Sequence, residues 1–306
     1  MADFRGMGTL PPMGHGLSGG FLEYPIRGDR FAHRVAVQEH VASFTSPFQT
    51  IDLVRSDAFG QMLLLDGHIQ LTELDEGLYH AGLVNVPLAN LAAPRRALVI
   101  GGGDGGAIRQ LMTDIALEQV DMVEIDEGVI QVTKENWPAL AGNAWDDPRL
   151  HLTIGDAFPY VKEAQNQYDL IVVDSTDTYE DEEGELSEAL FTAAFYRDLA
   201  RILNPSGLVV TQSDNALFCP YGRENTVAQL GQVFPVVQTY HLAIPSFGGP
   251  SAYVVASHGV RLASRAEDVR RPDQLAQAGI APAIYDAAFA ELPYRQLAGN
   301  VQVPTA

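Results

Sequence analysis

The 306-residue sequence is poor in cysteine, in basic residues and in long apolar runs. Its single cysteine, Cys219, excludes an intramolecular disulfide framework and a zinc site built from several thiolates. No apolar run approaches the roughly 18 residues that a membrane-spanning helix requires. The opening segment has neither the basic nor the apolar region of a secretory leader, so we expect residues 1–20 to be a flexible tail of a cytoplasmic protein.

Basic residues are scarce: 19 lysines and arginines stand against 39 acidic residues, and the formal net charge is −20. Nucleic acid and anionic membrane surfaces would be repelled at long range, so neither is expected as a partner. Small cationic ligands are favoured, although an acidic balance that serves only solubility would give the same composition. The eight histidines show no spacing of the HExxH type, and no metal site is predicted.

The sequence does contain a series of apolar runs that end at glycines or acids. Over residues 21–75, strand-like runs such as HRVAVQEHVASF are separated by turns such as Asp66-Gly67, which predicts a small antiparallel β domain. From Glu76 to Asn90 the apolar spacing favours a helix. Later runs alternate with helical spacers and end in a hairpin. This order predicts an α/β domain over residues 76–306 with a seven-stranded, methyltransferase-like Rossmann sheet.

The central run, RALVIGGGDGGAIRQLM at residues 96–112, has the outline of a buried strand, a tight turn and a helix N-terminus. Its Gly101, Gly103 and Gly106 satisfy GxGxxG, a pattern that nicotinamide dehydrogenases share. Asp104 would lie about 4 Å from a bound pyrophosphate, at a cost on the order of several kcal/mol. A cationic nucleoside therefore suits the turn better, and decarboxylated S-adenosylmethionine suits it best because it has a sulfonium and an ammonium but no carboxylate.

Acids also end the neighbouring strands of the predicted sheet. Because the carboxyl ends of parallel strands meet at one edge, Glu124, Asp156 and Asp174 are predicted to line a common crevice. Glu124 could accept hydrogen bonds from ribose hydroxyls, and Asp156 could accept one from the adenine amine. A solvated strand-end acid is the alternative for Glu124. A helix N-cap is an alternative or additional role for Asp156.

Together these motifs resemble the polyamine aminopropyltransferases, a family typified by spermidine synthase. The similarity runs from about Gly20 to about His258 and is carried, in the family's order, by SPFQTIDL, LLLDGHIQLTELDEGLYH, VIGGGDGGAIRQL, VEIDEGVIQVTKENWP, IGDAF and YDLIVVDSTD. The resemblance implies transfer of the aminopropyl group of decarboxylated S-adenosylmethionine to a diamine, with release of 5′-methylthioadenosine and without a separate cofactor. Putrescine, giving spermidine, is the leading acceptor, and a homodimer or homotetramer is expected.

The resemblance also implies roles for single residues. The nucleoside substrate would be bound by Gln49, Gly101, Gly103, Asp104, Glu124 and Asp156. Asp174 would be the catalytic acid-base residue, with Tyr79 orienting the amine. The acceptor site would comprise Asp177, Tyr79, His80, Gln70 and Tyr240, with Gln70 between the two pockets. A packed position without contact to substrate is the alternative for His80.

The chemistry of an amine acceptor agrees with a carboxylate at position 174. An alkylamine has a pKa of roughly 10, so it arrives protonated at neutral pH and cannot attack until a base removes that proton. Asp174 could do so if its surroundings raise its pKa. The acidic segment EDEEGELSE at residues 180–188 is either a solvated loop or a gate over the acceptor pocket that a polycation would close.

Some positions depart from the pattern of putrescine-using members. Ala81, Thr178, Phe247 and Asp214 stand where glutamate, proline, tyrosine and glutamate are usual, and the closing hairpin lacks the usual tryptophan. The PSF and VTQ segments resemble thermospermine synthases, so spermidine, or agmatine, stays an alternative acceptor.

Two further functions stay open on the same sequence. The first is an S-adenosylmethionine methyltransferase, against which Asp104 argues. The second is a non-catalytic polyamine-binding protein, against which Asp174 and Asp177 together argue.

Overall fold

The computed structural model describes residues 20–27, 31–175 and 190–290. Its strands are β1 Phe21–Arg27, β2 Phe31–Ala36, β3 Glu39–Thr45, β4 Thr50–Ser56, β5 Gly60–Leu65, β6 His68–Thr72, β7 Arg96–Gly101, β8 Gln119–Glu124, β9 Leu150–Ile154, β10 Tyr168–Asp174, β11 Leu203–Asn215, β12 Val236–Ile244 and β13 Gly249–Ser257. They form a two-stranded, a four-stranded and a seven-stranded sheet.

Most of the helices are short and connect these strands. The α-helices are α1 Glu76–His80, α2 Val86–Asn90, α3 Gly106–Met112, α4 Glu127–Asn136, α5 Pro138–Ala141, α6 Ala157–Glu163, α7 Ala193–Ile202, α8 Pro220–Gly231, α9 Pro272–Gln277 and α10 Pro282–Ala288. Short 3₁₀ turns lie at Ala144–Asp146, Pro245–Phe247 and Ala266–Asp268. Within the described residues no helix is long and apolar enough to cross a membrane.

The N-terminal strands form the predicted antiparallel sheets. Strands β3 to β6 pair in sequence order, and Asp66 and Gly67 turn the chain between β5 and β6 with φ values of 49° and 81°. Two positive φ values at the centre of a two-residue loop match the twist of a hairpin. One face of this sheet packs on α4, and the other packs on β1 and β2.

The N-terminal region differs from the sequence prediction at one point, because HRVAVQEHVASF is not one strand. The structure ends β2 at Ala36 and begins β3 at Glu39 in a different sheet. Val37 N donates to Gly20 O at 2.9 Å, whereas Gln38 N donates to Arg55 O at 2.8 Å. The backbone thus changes hydrogen-bonding partner between adjacent residues, and the alternation of apolar side chains gives no sign of this change.

The larger sheet has the strand order β12-β13-β11-β10-β7-β8-β9, and this confirms the predicted seven-stranded methyltransferase-like fold. Strands β7 to β11 run parallel, and β13 is antiparallel to both β11 and β12. Apolar clusters cover both faces, so the central runs of β7 and β10 are fully buried. This arrangement brings the carboxyl ends of β7, β8 and β10 to one edge.

The predicted helix between Glu76 and Asn90 is present, but its middle is a π-helical turn at Ala81–Asn85. Pro87 has no N–H to donate to the carbonyl of Leu83, and the wider turn accommodates this gap in the hydrogen-bond ladder. Every residue from Tyr79 to Asn90 is buried, so this segment joins the sheets from inside the core. It carries Tyr79 to the edge where β7 and β10 end.

The domain limits at residues 20 and 75 stay predictions.

Candidate active site

A cavity of about 450 Å³ opens at the carboxyl ends of β7, β8 and β10, and side chains of the N-terminal sheet close one side. Nine of the predicted site residues line it: Gln49, Gln70, Tyr79, Gly101, Gly103, Asp104, Glu124, Asp156 and Asp174. Asp177 and the acidic segment 180–188 lie outside the described residues. The structure therefore gathers residues that the sequence spreads over more than a hundred positions.

The glycine turn is fixed to the end of β10. Gly101 and Gly102 have φ values of 80° and 74°, and Gly102 N donates to the carbonyl of Asp174 at 2.9 Å. A Cβ on Gly101 would lie 2.2 Å from that carbonyl oxygen, so no larger residue fits. This close approach places the side chain of Asp174 beside the turn.

Glu124 is held beneath the same turn by two backbone donors. Its Oε2 accepts from Gly103 N at 2.9 Å, and its Oε1 accepts from Asp126 N at 2.8 Å. Burial raises the pKa of Glu124, and the negative charges of Asp126 and Asp104 raise it further. The two backbone donors lower this pKa but do not outweigh burial, and it lies at about 7. Glu124 is thus a buried, oriented acceptor rather than a solvated acid.

Gln49 reaches the cavity from the N-terminal sheet and is positioned by Asp126, a strand-end acid to which the sequence alone assigned no separate role. Its Nε2 donates to Asp126 Oδ2 at 2.8 Å, and Ser46 Oγ donates to the same oxygen at 2.7 Å. Asp126 also caps α4 by accepting from Gly128 N at 2.9 Å. The sequence feature that points to Asp126 is its place as the second acid in VEID, two residues after the end of β8 at Glu124.

Asp156 has the N-cap role that the sequence offered, and its contact with adenine stays a prediction. Its side chain accepts from Phe158 N at 2.9 Å as the N-cap of α6, and it also lines the cavity. One carboxylate oxygen serves the helix, which leaves acceptor capacity on the other oxygen.

Asp174 lies opposite Asp104 and carries one free oxygen. Tyr79 donates its hydroxyl to Oδ1 at 3.1 Å, whereas the buried Oδ2 has no hydrogen-bond partner among the described residues. Burial raises the pKa of Asp174 to about 6, with a further rise from Asp104, while His80 and Tyr79 act in the opposite direction. A carboxylate of this kind is ionised at neutral pH and can accept a proton.

A second, smaller cavity of about 70 Å³ adjoins the first. Gln70, Tyr79 and Ser175 line both cavities, so these three residues lie between them. The remaining wall is polar apart from Phe247 and two isoleucines, and it comprises His68, Gln212, Asp214, Asn215 and Ser251. Phe247 packs edge to face on the Tyr79 ring, with centroids 5.6 Å apart and planes at 79°.

The structure does not bring Tyr240 to either cavity. Its hydroxyl donates to Gly82 O at 2.7 Å, and its ring stacks on Tyr253 at 5.1 Å with an interplanar angle of 14°. Tyr253 in turn donates its hydroxyl to Tyr79 O at 3.1 Å. Tyr240 therefore supports the segment that carries Tyr79. In the same hairpin it is Phe247, not Tyr240, whose ring lines the smaller cavity.

His80 is fully buried and lines neither cavity in the described part of the chain. Its Nδ1 lies 3.0 Å from Glu76 Oε2, and its Nε2 lies 3.2 Å from Asp104 Oδ1. Burial lowers the pKa of His80, but Asp104, Glu76 and Asp174 outweigh burial and raise it to about 10. Burial opposes ionisation of Asp104 as well, yet His80 and backbone donors hold the pKa of Asp104 below its usual value.

One group of side chains could be considered for a metal ion. Potential ligand atoms of His80, Asp104 and Asp174 lie within 4.8 Å of one another. A protonated imidazole has no lone pair for a metal, and His80 already forms an ion pair with Asp104. The donor set therefore suits an ion pair rather than a bound cation.

Two family models match the chain. Residues 76–263 match the one described as "Spermine/spermidine synthase domain", and residues 21–73 match "Spermidine synthase tetramerisation domain". The sequence is 36% identical over 259 residues to the polyamine aminopropyltransferase of Ruegeria sp. (strain TM1040), covering 84% of this chain and 89% of that protein. It is 38% identical over 200 residues to the polyamine aminopropyltransferase of Bacillus cytotoxicus, covering 65% and 70%.

Two solved structures share the fold. A crystal structure of spermidine synthase in complex with the transition state analogue AdoDATO superposes with a TM-score of 0.81 at 24% identity, covering 92% of this chain and 96% of that one. The crystal structure of spermidine synthase from Thermotoga maritima gives a TM-score of 0.79 at 23% identity, covering 92% and 95%.

Proposed function

The chain belongs to the spermine/spermidine synthase family of polyamine aminopropyltransferases, and we propose that it transfers the aminopropyl group of decarboxylated S-adenosylmethionine to an amine. The observation that carries this proposal is the unpartnered, buried Oδ2 of Asp174, which lines the larger cavity next to Ser175, a residue that lines both cavities. An oriented carboxylate in a nucleoside-sized cavity, with its sequence neighbour on the wall of a smaller polar cavity, fits a reaction in which it removes a proton from the second substrate.

The larger cavity offers complementary groups for each part of the nucleoside substrate. Glu124 would accept hydrogen bonds from the ribose hydroxyls, and Asp156 would accept one from the exocyclic amine of adenine. Asp104, kept ionised by His80, would lie near the cationic aminopropyl chain. The same carboxylate would repel the carboxylate of intact S-adenosylmethionine, which argues against a methyltransferase.

The transfer step needs one proton acceptor and good alignment. The lone pair of the acceptor amine attacks the methylene carbon next to the sulfonium, so a C–N bond forms as the C–S bond breaks. The bonding electron pair passes to sulfur, which leaves as the neutral thioether of 5′-methylthioadenosine. The proton of the arriving ammonium has by then passed to Asp174, because a protonated amine has no lone pair with which to attack. The step needs the two substrates and the Asp174 carboxylate as proton acceptor, and no separate cofactor takes part.

Tyr79 prepares Asp174 for this step. Its hydrogen bond to Oδ1 fixes the plane of the carboxylate, which leaves Oδ2 directed at the reacting groups. Tyr79 is itself held in two ways: Phe247 packs on its ring, and the Tyr253 hydroxyl donates to its backbone carbonyl. Such preorganisation lowers the cost of reaching the aligned geometry.

We propose putrescine as the acceptor, because the adjoining cavity is small and presents one carboxylate, Asp214, beyond Asp174. A diamine carries one ammonium for each of these acids. Spermidine and agmatine are the alternatives, since Phe247 and Asp214 depart from the pattern of putrescine-using members.

One assay tests the proposed activity. The protein is incubated with decarboxylated or intact S-adenosylmethionine and with putrescine, cadaverine, agmatine or spermidine, and 5′-methylthioadenosine and the extended amine are quantified. We expect turnover with the decarboxylated nucleoside, fastest with putrescine. Turnover only with intact S-adenosylmethionine would establish a methyltransferase instead, and binding of polyamines without turnover would establish a non-catalytic binding protein.

We also propose a homo-oligomer assembled through residues 21–73, the segment that matches the tetramerisation domain. Light scattering on the purified protein tests this. A mass of one subunit across the working concentration range would contradict it.

A further inference from the structure

A carboxylate lies against each nitrogen of the buried His80 ring. Glu76 Oε2 lies 3.0 Å from Nδ1, and Asp104 Oδ1 lies 3.2 Å from Nε2. A neutral imidazole carries a proton on one nitrogen only, so its other nitrogen would face a carboxylate lone pair to lone pair. Nε2 has no aligned hydrogen bond among the described residues, so its approach to Asp104 is a charge–charge contact, and the doubly protonated ring is the form that attracts both acids.

Glu76 cannot turn away from His80, because Arg109 holds it from the other side. The guanidinium donates from Nη1 to Oε1 at 3.0 Å and from Nη2 to Oε2 at 2.6 Å, a two-point contact that fixes the carboxylate plane. Glu76 lies in α1 and Arg109 in α3, so the contact also links two helices that bound the site.

The backbone of the glycine turn holds the ring in place. A Cβ on Gly106 would lie 2.1 to 2.4 Å from three atoms of the imidazole, so the ring occupies the space that a side chain would need. The ring also packs edge to face on Tyr79, at 5.1 Å between centroids. His80 is therefore confined between the turn that carries Asp104 and the residue that orients Asp174.

We propose that His80 is a permanent buried cation that assigns different roles to the two acids of the site, keeping Asp104 as the anion that binds the cationic substrate and leaving Asp174 as the proton acceptor. This inference rests on the proposed function. His80 is a positioning residue: it acts through Asp104 and touches neither substrate.

The charge balance explains why a cation is needed. The described groups that face His80 or Asp174 are three carboxylates, Glu76, Asp104 and Asp174, the guanidinium of Arg109, and the hydroxyls of Tyr79 and Tyr253. Without a positive charge beside them, Asp104 and Asp174 would share one proton, as two neighbouring buried carboxylates do. His80 favours the ionised form of both, and Asp104 benefits more because it is in direct contact.

The charge state of His80 can be observed without any activity assay. The side-chain nitrogens of ¹⁵N-histidine-labelled protein are followed by NMR between about pH 6 and pH 9, a window that spans the ordinary pKa of histidine. We expect both His80 nitrogens to keep imidazolium shifts throughout. In Glu76→Gln, which weakens the Nδ1 contact, His80 should titrate at lower pH than in the wild type. Titration of wild-type His80 near its ordinary value would overturn the proposal.

The effect on the two acids is tested by His80→Gln, which removes the charge but keeps a polar side chain. We expect the acidic limb of the kcat/KM profile to move up by about one pH unit or more, with most of the wild-type value recovered at high pH. His151→Gln is the matched control, because His151 also lies 3.2 Å from a buried acid, Asp121, but contacts no residue of the site. Its profile should stay unchanged.

An unmoved acidic limb in His80→Gln would overturn the proposal. Failure of the proposed function is a separate outcome, because it would appear as absence of turnover in the wild type. The NMR titration would still decide the charge of His80 in that case, and also if His80→Gln failed to fold.

Discussion

Tyr79 donates its hydroxyl to one oxygen of Asp174 at 3.1 Å, and the other oxygen of that buried carboxylate has no partner in the described structure. Replacing Asp174 by Asn keeps the size of the side chain but removes the proton acceptor. We expect kcat to fall by about 10² or more while 5′-methylthioadenosine still binds. Steady-state rates and calorimetric titration with the nucleoside product measure the two effects. A kcat within a few fold of wild type would exclude Asp174 as the general base.

Burial and Asp104 raise the pH at which the enzyme loses activity, and the Tyr79 hydrogen bond opposes them. The ionised form of Asp174 is the active base, and with a pKa of about 6 it is lost as the pH falls below that value. Tyr79→Phe removes a donor that lowers this pKa, so the acidic limb of kcat/KM should move to higher pH. Tyr196→Phe is the control, because the buried Tyr196 hydroxyl has no partner among the described residues and lies outside both cavities.

Nucleoside affinity should depend on the ionisation of Glu124, whose pKa burial raises to about 7. The ionised carboxylate has lone pairs for two backbone N–H groups and for ribose hydroxyls, whereas the protonated form has fewer. We expect 5′-methylthioadenosine to bind about tenfold more weakly at pH 6 than at pH 8, following the ionised fraction. Glu124→Gln should bind weakly at both values. Equal wild-type affinities at the two pH values would contradict the assignment of Glu124.

The contact between Asp75 and Ser246 should control the affinity for the amine acceptor. The buried Asp75 accepts from Ser246 N at 2.8 Å and from Ser246 Oγ at 2.9 Å, so it fixes the turn that carries Phe247. Asp75→Asn replaces an acceptor with a donor facing Ser246. We expect KM for the amine to rise by about 5- to 30-fold, the equivalent of about 1–2 kcal/mol, with nucleoside affinity unchanged.

Asp57→Asn provides the control for the Asp75 variant, because Asp57 is exposed in a turn of the same sheet. It should leave both kinetic constants unchanged. A parallel loss of nucleoside affinity in Asp75→Asn would indicate general damage to the fold instead of a local effect on the acceptor site.

Gly106 should tolerate no side chain, because its Cβ would lie within 2.4 Å of three His80 ring atoms. Forcing an extra methyl into such a contact costs typically about 1–3 kcal/mol of stability. We expect Gly106→Ala to lower the melting temperature and kcat/KM together. Gly231→Ala has nothing within 4 Å of its new Cβ and should stay within about 0.5 kcal/mol of wild type. Equal stability of the two variants would show that the turn yields and that the His80 ring is not confined.

The strands and the glycine turn were predictable because their causes are local. Buried strands such as β7 and β10 are continuous apolar runs, and Gly101 marks a position whose φ of 80° favours glycine. Once the strands were known to be parallel, the convergence of Asp104, Glu124 and Asp174 followed from topology alone. The family resemblance, which the comparisons confirm, rests on these same segments.

Two departures of the structure from the sequence predictions share one cause, which is packing between segments that are distant in the sequence. Tyr240 and Phe247 belong to one hairpin, but only the fold decides that Tyr240 points at Gly82 in the core while Phe247 faces the cavity. The break between β2 and β3 likewise depends on strand pairing, because β2 pairs with β1 whereas β3 pairs with β4.

The sequence by itself determined the sheet, the position of the turn and the set of acids at the strand ends, because hydrophobic period and backbone conformation are encoded within a few residues. The tertiary structure alone decided which polar and charged groups meet one another. Gln49 meets Asp126 and Arg109 meets Glu76 across 77 and 33 positions of sequence, and His80 lies between Glu76 and Asp104. In a buried site such contacts set the protonation states, because the low dielectric makes each neighbouring charge count.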